Sequence, residues 1–245
     1  MAQGKMAVLT GQPISSTECA MTTLPILYSF RRCPYAMRAR LALLSAGLDV
    51  ELREVLLRDK APEFLAASPS GTVPCLDPRG ATVIDESLDI MLWALRQADP
   101  EGWLTPDEGT LEEMLALIEK LDGDFKRHLD RYKYDTRYPD ASSEGERAAA
   151  AAILSDLEKR LTNRPWLFGH SASLADYAFL PFLRQFANVD RDWFDAEDWP
   201  RLKAWLRAFE HSERFASIMP KYQTWKAGDP PMIFSAAAPA KITKA

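Results

Sequence analysis

The sequence predicts an α/β unit of order βαβαββα followed by a wholly helical half. Three observations predict it. From Leu24 to about residue 98 the hydropathy pattern alternates between short apolar runs and helical stripes. A Pro- and Gly-rich stretch follows at 99–109, and beyond it every periodic segment has the helical repeat. The first run, Leu24-Pro-Ile-Leu-Tyr-Ser-Phe30, suits a buried strand. Pro34 suits a first helical position, Met37, Leu41 and Leu44 share a face, and Gly47 supplies a stop. Val50 to Leu57 alternates apolar with charged residues as a second strand, and Ala61 to Ala67 makes a short helix. Ser68-Pro-Ser-Gly71 is a turn. Thr72–Leu76 and Ala81–Ile84 are short strands flanking Asp77-Pro-Arg-Gly80, and Glu86 to Gln97 is helical.

Asp99 to Gly109 carries two Pro and two Gly, the best domain boundary in the chain. Beyond it, Leu111, Leu115, Ile118 and Leu121 trace one stripe and Ala148 to Leu161 another. Leu174 to Phe186 is apolar nearly all round and therefore belongs in a core. Pro200 to Phe215 is a last amphipathic helix, and the end from Lys226 reads as frayed. The organisation expected is a loose extension at 1–23, an α/β domain at 24–98, a linker at 99–109, a helical domain at 110–225 and a tail at 226–245.

Composition narrows the function. The 245 residues amount to one or two domains at about 150 residues each. Hydrophobic residues make up 47% and charged residues 27%, as in ordinary globular chains. With 30 Lys and Arg against 35 Asp and Glu, the net charge of −5 argues against a nucleic-acid partner. No apolar run is long enough to span a bilayer. A form that enters membranes is disfavoured because Arg31, Arg32, Arg38 and Arg40 interrupt the segment from Ile26 to Leu44. Cys19, Cys33 and Cys75 are too few for a disulfide framework, which points to a reducing, cytoplasmic compartment. His128, His170 and His211 lie far apart, and no metal site is expected.

Three motifs bear on chemistry. Arg31-Arg-Cys-Pro-Tyr-Ala36 puts Cys33 between the first strand and its helix. There unsatisfied N–H groups, the helix dipole and the two arginines favour a thiolate. Cys33 is then either an activated nucleophile or a small buried hydrophobe ahead of a helix-starting proline. Ala36 stands where a CxxC motif has its second cysteine, so a disulfide formed on Cys33 needs an external thiol. In Gly71-Thr-Val-Pro-Cys-Leu76, Pro74 disturbs a strand. A cis Val73–Pro74 bond would free the Val73 peptide for an extended ligand, and a trans proline on an edge strand is the plainer alternative. Cys75 is assigned to packing. In Asp85-Glu-Ser-Leu-Asp-Ile90, Glu86 and Ser87 open a helix. They serve as caps, or as holders of an α-amino acid head.

Together these pieces resemble a cytosolic glutathione transferase over residues 24 to 225, and within that superfamily the cysteine-type, omega-like branch and its bacterial relatives. The resemblance implies a thioredoxin-like N-terminal domain followed by an all-α domain, glutathione as co-substrate and a homodimer. It casts Cys33 as the catalytic thiol and assigns glutathione to Lys60, 27 residues on, with Val73, Pro74, Glu86 and Ser87. Tyr35 stands where the animal omega pattern has Phe. Tyr35, Tyr132, Tyr134 and Tyr138 line an acceptor pocket or merely pack helices. The function implied is a thiol transferase or reductase acting on an oxidised or electrophilic small acceptor, with dehydroascorbate and glutathionyl-hydroquinones as acceptors by resemblance. A non-catalytic binding or scaffold protein of the same fold is the alternative. Ser173-Leu-Ala-Asp176 reads as a structural capping box.

Overall fold

The computed structural model describes residues 24–235; the expected extension at 1–23, with Cys19, lies outside them. The first run is reduced to β1 (Ile26–Ser29), four buried residues at the centre of a four-stranded sheet of order β3-β1-β2-β4. β2 (Val50–Glu54) lies parallel to β1, and β3 (Cys75–Asp77) antiparallel to it. Between β1 and β2 the chain forms α1 (Pro34–Ser45), the crossover that a parallel pair requires. Ten of its twelve residues are buried because it packs on α3 (Ser87–Gln97) and on α7 (Leu174–Ala187) of the helical half. α2 (Pro62–Ala67) buries only Phe64.

The expected strand at 81–84 shrinks to one bridge, Leu76 to Ile84. Ala81 and Thr82 are exposed, with nothing apolar to cover them, and Pro78 lacks the N–H a ladder needs. That antiparallel return still brings the chain back so that α3 starts at the end of the sheet where α1 starts. The Val73–Pro74 peptide is cis, directly before β3.

The 99–109 connection is tied down by hydrogen bonds and packing. Asp99 accepts from the N–H groups of Trp103 and Leu104 at 2.9 Å each. Trp103 is wholly buried and stacks on Tyr177 with ring centroids 4.1 Å apart. Its carbonyl accepts from Leu174 N–H. α4 (Leu111–Lys120), opened by a Thr110–Glu113 capping box, passes through a π-turn (Leu121–Phe125) into α5 (Lys126–Lys133). α6 (Ser143–Arg160) starts earlier than the apolar pattern suggests because the Ser142 hydroxyl caps it by accepting from Gly145 N–H. After α7 come α8 (Arg191–Ala196), α9 (Pro200–Glu210) and α10 (Glu213–Ile218). The last two replace the single helix expected from Pro200 to Phe215, since Ser212 begins a new cap on Phe215 N–H. The Asp176 carboxylate accepts from Ser173 N–H, the Ser173 hydroxyl and Leu167 N–H, tying the start of α7 to the loop before it.

The tail is not frayed where it is described. β4 (Ile233–Phe234) pairs antiparallel with β2, Leu52 N–H donates to Met232 C=O, and Phe234 is buried. The reason is the otherwise bare edge of β2, whose backbone groups gain partners from the returning chain. Trp225 adds its ring beneath the Arg53 guanidinium, 4.3 Å away, and against Tyr28.

The two halves share one core, running from Leu27, Leu41 and Leu76 to Leu154, Phe179 and Leu206. An ion pair crosses it. Arg38 of α1, 2% exposed, donates to the Ser87 hydroxyl through Nε at 2.9 Å and to both Asp122 oxygens at 2.9 and 2.7 Å. Its guanidinium lies over the Tyr35 and Phe182 rings. Asp122→Ala leaves that guanidinium unpaired, and its expected cost is about 2 kcal/mol, discounted because Asp122 is partly in water. Urea unfolding followed by tryptophan fluorescence should show the midpoint fall and largely return in the Arg38→Met, Asp122→Ala double variant. Additive losses would refute the coupling.

Candidate functional site

The site begins with a turn. Cys33 N–H donates to Phe30 C=O at 3.0 Å, and Cys33 takes extended φ/ψ of −74° and 122° as the N-cap of α1 without capping through its side chain. The turn is clasped from below. Buried Arg40 donates to the Ser29 hydroxyl and, at 2.8 Å, to Arg31 C=O, while the buried Glu54 carboxylate accepts Arg31 N–H at 2.8 Å. Both charges are out of water and so cost free energy unless paired and bonded. Burial lowers Arg40 to about 10 against the opposing pull of Glu54 and Cys33. Burial likewise raises Glu54, against Arg31 N–H and the Arg40 charge.

The half-buried Cys33 thiol faces Val73 C=O, to which Sγ donates at 3.6 Å. A thiol lowered by the helix N-terminus is what the sequence predicts, and in the free protein the balance falls the other way. Burial raises the Cys33 pKa, opposed by the Ala36 and Tyr35 N–H groups and by the Arg40 and Lys126 charges. The thiolate-stabilising groups are therefore present, and desolvation outweighs them. Cys75 is fully buried, its thiol pushed up to about 11 mainly by burial, as packing requires.

Val73 is 8% exposed, and among the described residues its N–H has no partner. Glu86 is the exposed N-cap of α3 with no side-chain capping bond, so among the described residues the first N–H groups of that helix are unclaimed. Ser87 is 2% exposed, and its hydroxyl accepts from Arg38 while keeping its own proton to donate. Lys60 is partly exposed in the loop leaving β2, and among the described residues it has no ion pair. Leu57, three residues earlier, lines the same cavity as Cys33.

That cavity, about 520 Å3, opens between the two halves of the chain. Its rings are Phe30, Tyr35, Tyr134 and Tyr138, and its cations are Arg32, Lys126, Lys133 and Arg137. Burial, then the Asp122 charge, holds the Tyr35 phenol well above its ordinary value, so it stays a neutral donor. Tyr132 does not line this cavity. It is 7% exposed and packs on Phe186, 5.6 Å away, because Leu129 and Tyr132 occupy the inward stripe of α5 while Lys126, Asp130 and Lys133 occupy the outward one. Sequence reasoning missed the cations of α5 and the roles of Arg38, Arg40, Glu54 and Asp122. Two arginines within an otherwise apolar helix were the available signal that buried partners exist.

Among the described residues no helix is long and apolar enough to cross a membrane, and no cluster of three or more His, Cys, Asp or Glu is arranged to hold a metal ion.

Comparison with known proteins gives a consistent picture. A family model for the glutathione S-transferase N-terminal domain matches residues 27–102, and one for the C-terminal domain matches residues 140–208. The chain is 28% identical over 184 residues to glutathione S-transferase omega-1 of Sus scrofa, covering 74% of this chain and 75% of that one. It is 30% identical over 194 residues to a probable glutathione S-transferase, GSTU1, of Oryza sativa subsp. japonica, covering 74% and 83%. Among solved structures, glutathione transferase Omega 3C from Trametes versicolor superposes with a TM-score of 0.63 at 21% identity, over 78% of this chain and 82% of that one. A glutathione transferase from Methylococcus capsulatus superposes at 0.65 with 26% identity, over 80% and 97%.

The buried thiol has a measurable consequence. Because the thiolate is the reacting form, iodoacetamide should alkylate Cys33 slowly at neutral pH. The rate should climb as pH rises toward a midpoint above the ordinary thiol value. A midpoint below that value, read by mass spectrometry of the modified peptide, would refute the dominance of burial.

Proposed function

The chain belongs to the glutathione S-transferase family, and we propose that within it the protein is a glutathione-dependent thiol transferase or reductase in which Cys33 carries a mixed disulfide with glutathione. One observation carries this reading: Cys33 sits at a helix N-terminus, at the wall of the inter-domain cavity, with Ala36 where a resolving cysteine would stand. In this reading the Val73 peptide, its N–H free, pairs with the cysteinyl backbone of glutathione, and Pro74 fixes that peptide's direction. Glu86 and the first turn of α3, with Ser87, take the γ-glutamyl ammonium and carboxylate, and Lys60 takes the glycine carboxylate. The same reading includes a cytoplasmic homodimer.

The Val73 carbonyl gives ligand binding a way to activate the thiol. In the free protein it accepts the Cys33 proton, a contact that favours the neutral form. A ligand amide N–H bonded to that carbonyl removes the contact, while the Tyr35 and Ala36 N–H groups remain to hold a thiolate. Cys33 Sγ then attacks the glutathione sulfur of a glutathionylated acceptor. One S–S bond forms as another breaks, and the acceptor leaves as a thiolate that takes up the proton Cys33 gave up. A second glutathione thiolate attacks the glutathione sulfur held on Cys33, releasing oxidised glutathione and the Cys33 thiolate. Per acceptor reduced, one further glutathione is consumed. Conjugation to electrophiles should be weak, since it needs a hydroxyl beside a free glutathione thiolate rather than a sulfur that captures it.

Intact mass after exposure of the reduced protein to oxidised glutathione tests the sulfur. Wild type should gain one glutathione and Cys33→Ser none, with disulfide reduction falling roughly a thousandfold and some conjugating activity appearing. Equal adducts on both proteins would move the chemistry to another cysteine. With S-methylglutathione bound, the alkylation midpoint of Cys33 should drop. An unchanged midpoint would remove the Val73 carbonyl from the mechanism.

A further inference from the structure

The cleft beside Cys33 is cationic in a chain whose net charge is −5. Arg32, Lys126, Lys133 and Arg137 line it against one carboxylate, Asp130, which is already paired with Lys126. Arg32, Lys133 and Arg137 have no ion pair among the described residues. Their charges lie over the Phe30 and Tyr134 rings, where an aromatic face offers far less than a carboxylate. A second cavity of about 360 Å3 shares Arg32, Lys133 and Gln185 with the first and adds Arg31 and Arg184. Among the described residues no carboxylate lines it, and the counter-charge to Arg184 is Glu210, 3.6 Å from its Nε. None of Lys60, Val73, Pro74, Glu86 or Ser87 lines either cavity, so these cations are separate from the groups assigned to glutathione. Like charges converging without counter-charges are unfavourable until an anion joins them.

We infer that the acceptor taken by this cleft is a planar aromatic compound carrying an anionic group, its ring between Tyr35 and Tyr134 and its charge against Arg32, Lys133 and the arginines of the adjoining cavity. The inference rests on the Cys33 thiol-transfer reading for its chemistry but on the cleft alone for its recognition. The same cations also stabilise the developing negative charge when an aryl thiolate leaves, since Cys33 forms its bond to the glutathione sulfur as the bond between that sulfur and the aryl thiol sulfur breaks.

Two mixed disulfides of glutathione, with 4-mercaptobenzoate and with 4-mercaptobenzamide, differ in charge at nearly constant shape. Wild type should reduce the carboxylate with a kcat/KM about tenfold higher, a ratio that falls with salt. In Arg32→Gln, Lys133→Gln the ratio should collapse toward one. Arg32 is exposed and Lys133 only partly buried, so folding is not at stake. Equal rates for the two probes, or a ratio the double variant keeps, would overturn the proposal. So would a double variant that raises KM for glutathione while leaving the ratio alone, since the cations would then serve the second glutathione. Calorimetric binding of benzoate- and benzamide-bearing aryl thioethers to Cys33→Ser separates this from the thiol chemistry. A charge preference there supports the cleft even if Cys33 takes up no glutathione, and its absence overturns the cleft even if Cys33 does.

Discussion

The guanidinium of Arg38 is the constraint on which the arrangement turns. A charge 2% exposed cannot be left without partners, and Arg38 finds them on two different parts of the chain: the Ser87 hydroxyl at the start of α3 and the Asp122 carboxylate in the π-turn between α4 and α5. Those bonds set the helical half against α1 at one height. The π-turn delivers Asp122 to Arg38, and directly beyond it α5 carries Lys126, Asp130 and Lys133 over the cysteine turn. The cleft therefore exists, with its particular walls, because one buried charge had to be satisfied across the domain boundary.

Two further buried charges do comparable work under the Cys33 turn. Glu54 accepts the Arg31 N–H and Arg40 donates to the Arg31 C=O, so the turn that presents Cys33 is held by buried charged groups. The cost is a thiol in a dehydrated place. In the free protein its proton rests toward the Val73 carbonyl, the same peptide that a bound tripeptide would use. In the proposed mechanism that shared carbonyl would keep the sulfur protonated until a ligand takes it, which reconciles a raised thiol pKa with a reaction that needs a thiolate.

Beyond the sulfur, the cleft contrasts with the protein that holds it. In an acidic chain the charge lining the cleft beside Cys33 is mostly cationic, and Arg32, Lys133 and Arg137 lie over aromatic rings rather than against carboxylates. Rings beneath cations leave the charge available to a ligand, whereas carboxylates would neutralise it. In the proposed reaction, recognition of the acceptor and stabilisation of its leaving group would come from the same side chains.

Much of this was legible in the sequence. The alternation of strand and helix as far as the second short helix, the helical second half, Cys33 at a helix start and the Val73–Pro74 bond before a strand all follow from local pattern and from the few residues with special backbone demands, and the resemblance assembled them; the last strand, at 81–84, did not form beyond one bridge. Tertiary structure decided what depends on residues far apart in the chain. The tail could pair with β2 only where an unpaired edge awaited it, so Ile233 and Phe234 gave no local strand signal. The face on which Tyr132 and Tyr134 lie was set by how α5 meets α6 and α7, and the sign of the Cys33 shift by how deeply two domains bury it. Local periodicity specifies elements because the backbone repeat is local. Burial, charge pairing and cavity walls are sums over neighbours that only the folded chain brings together.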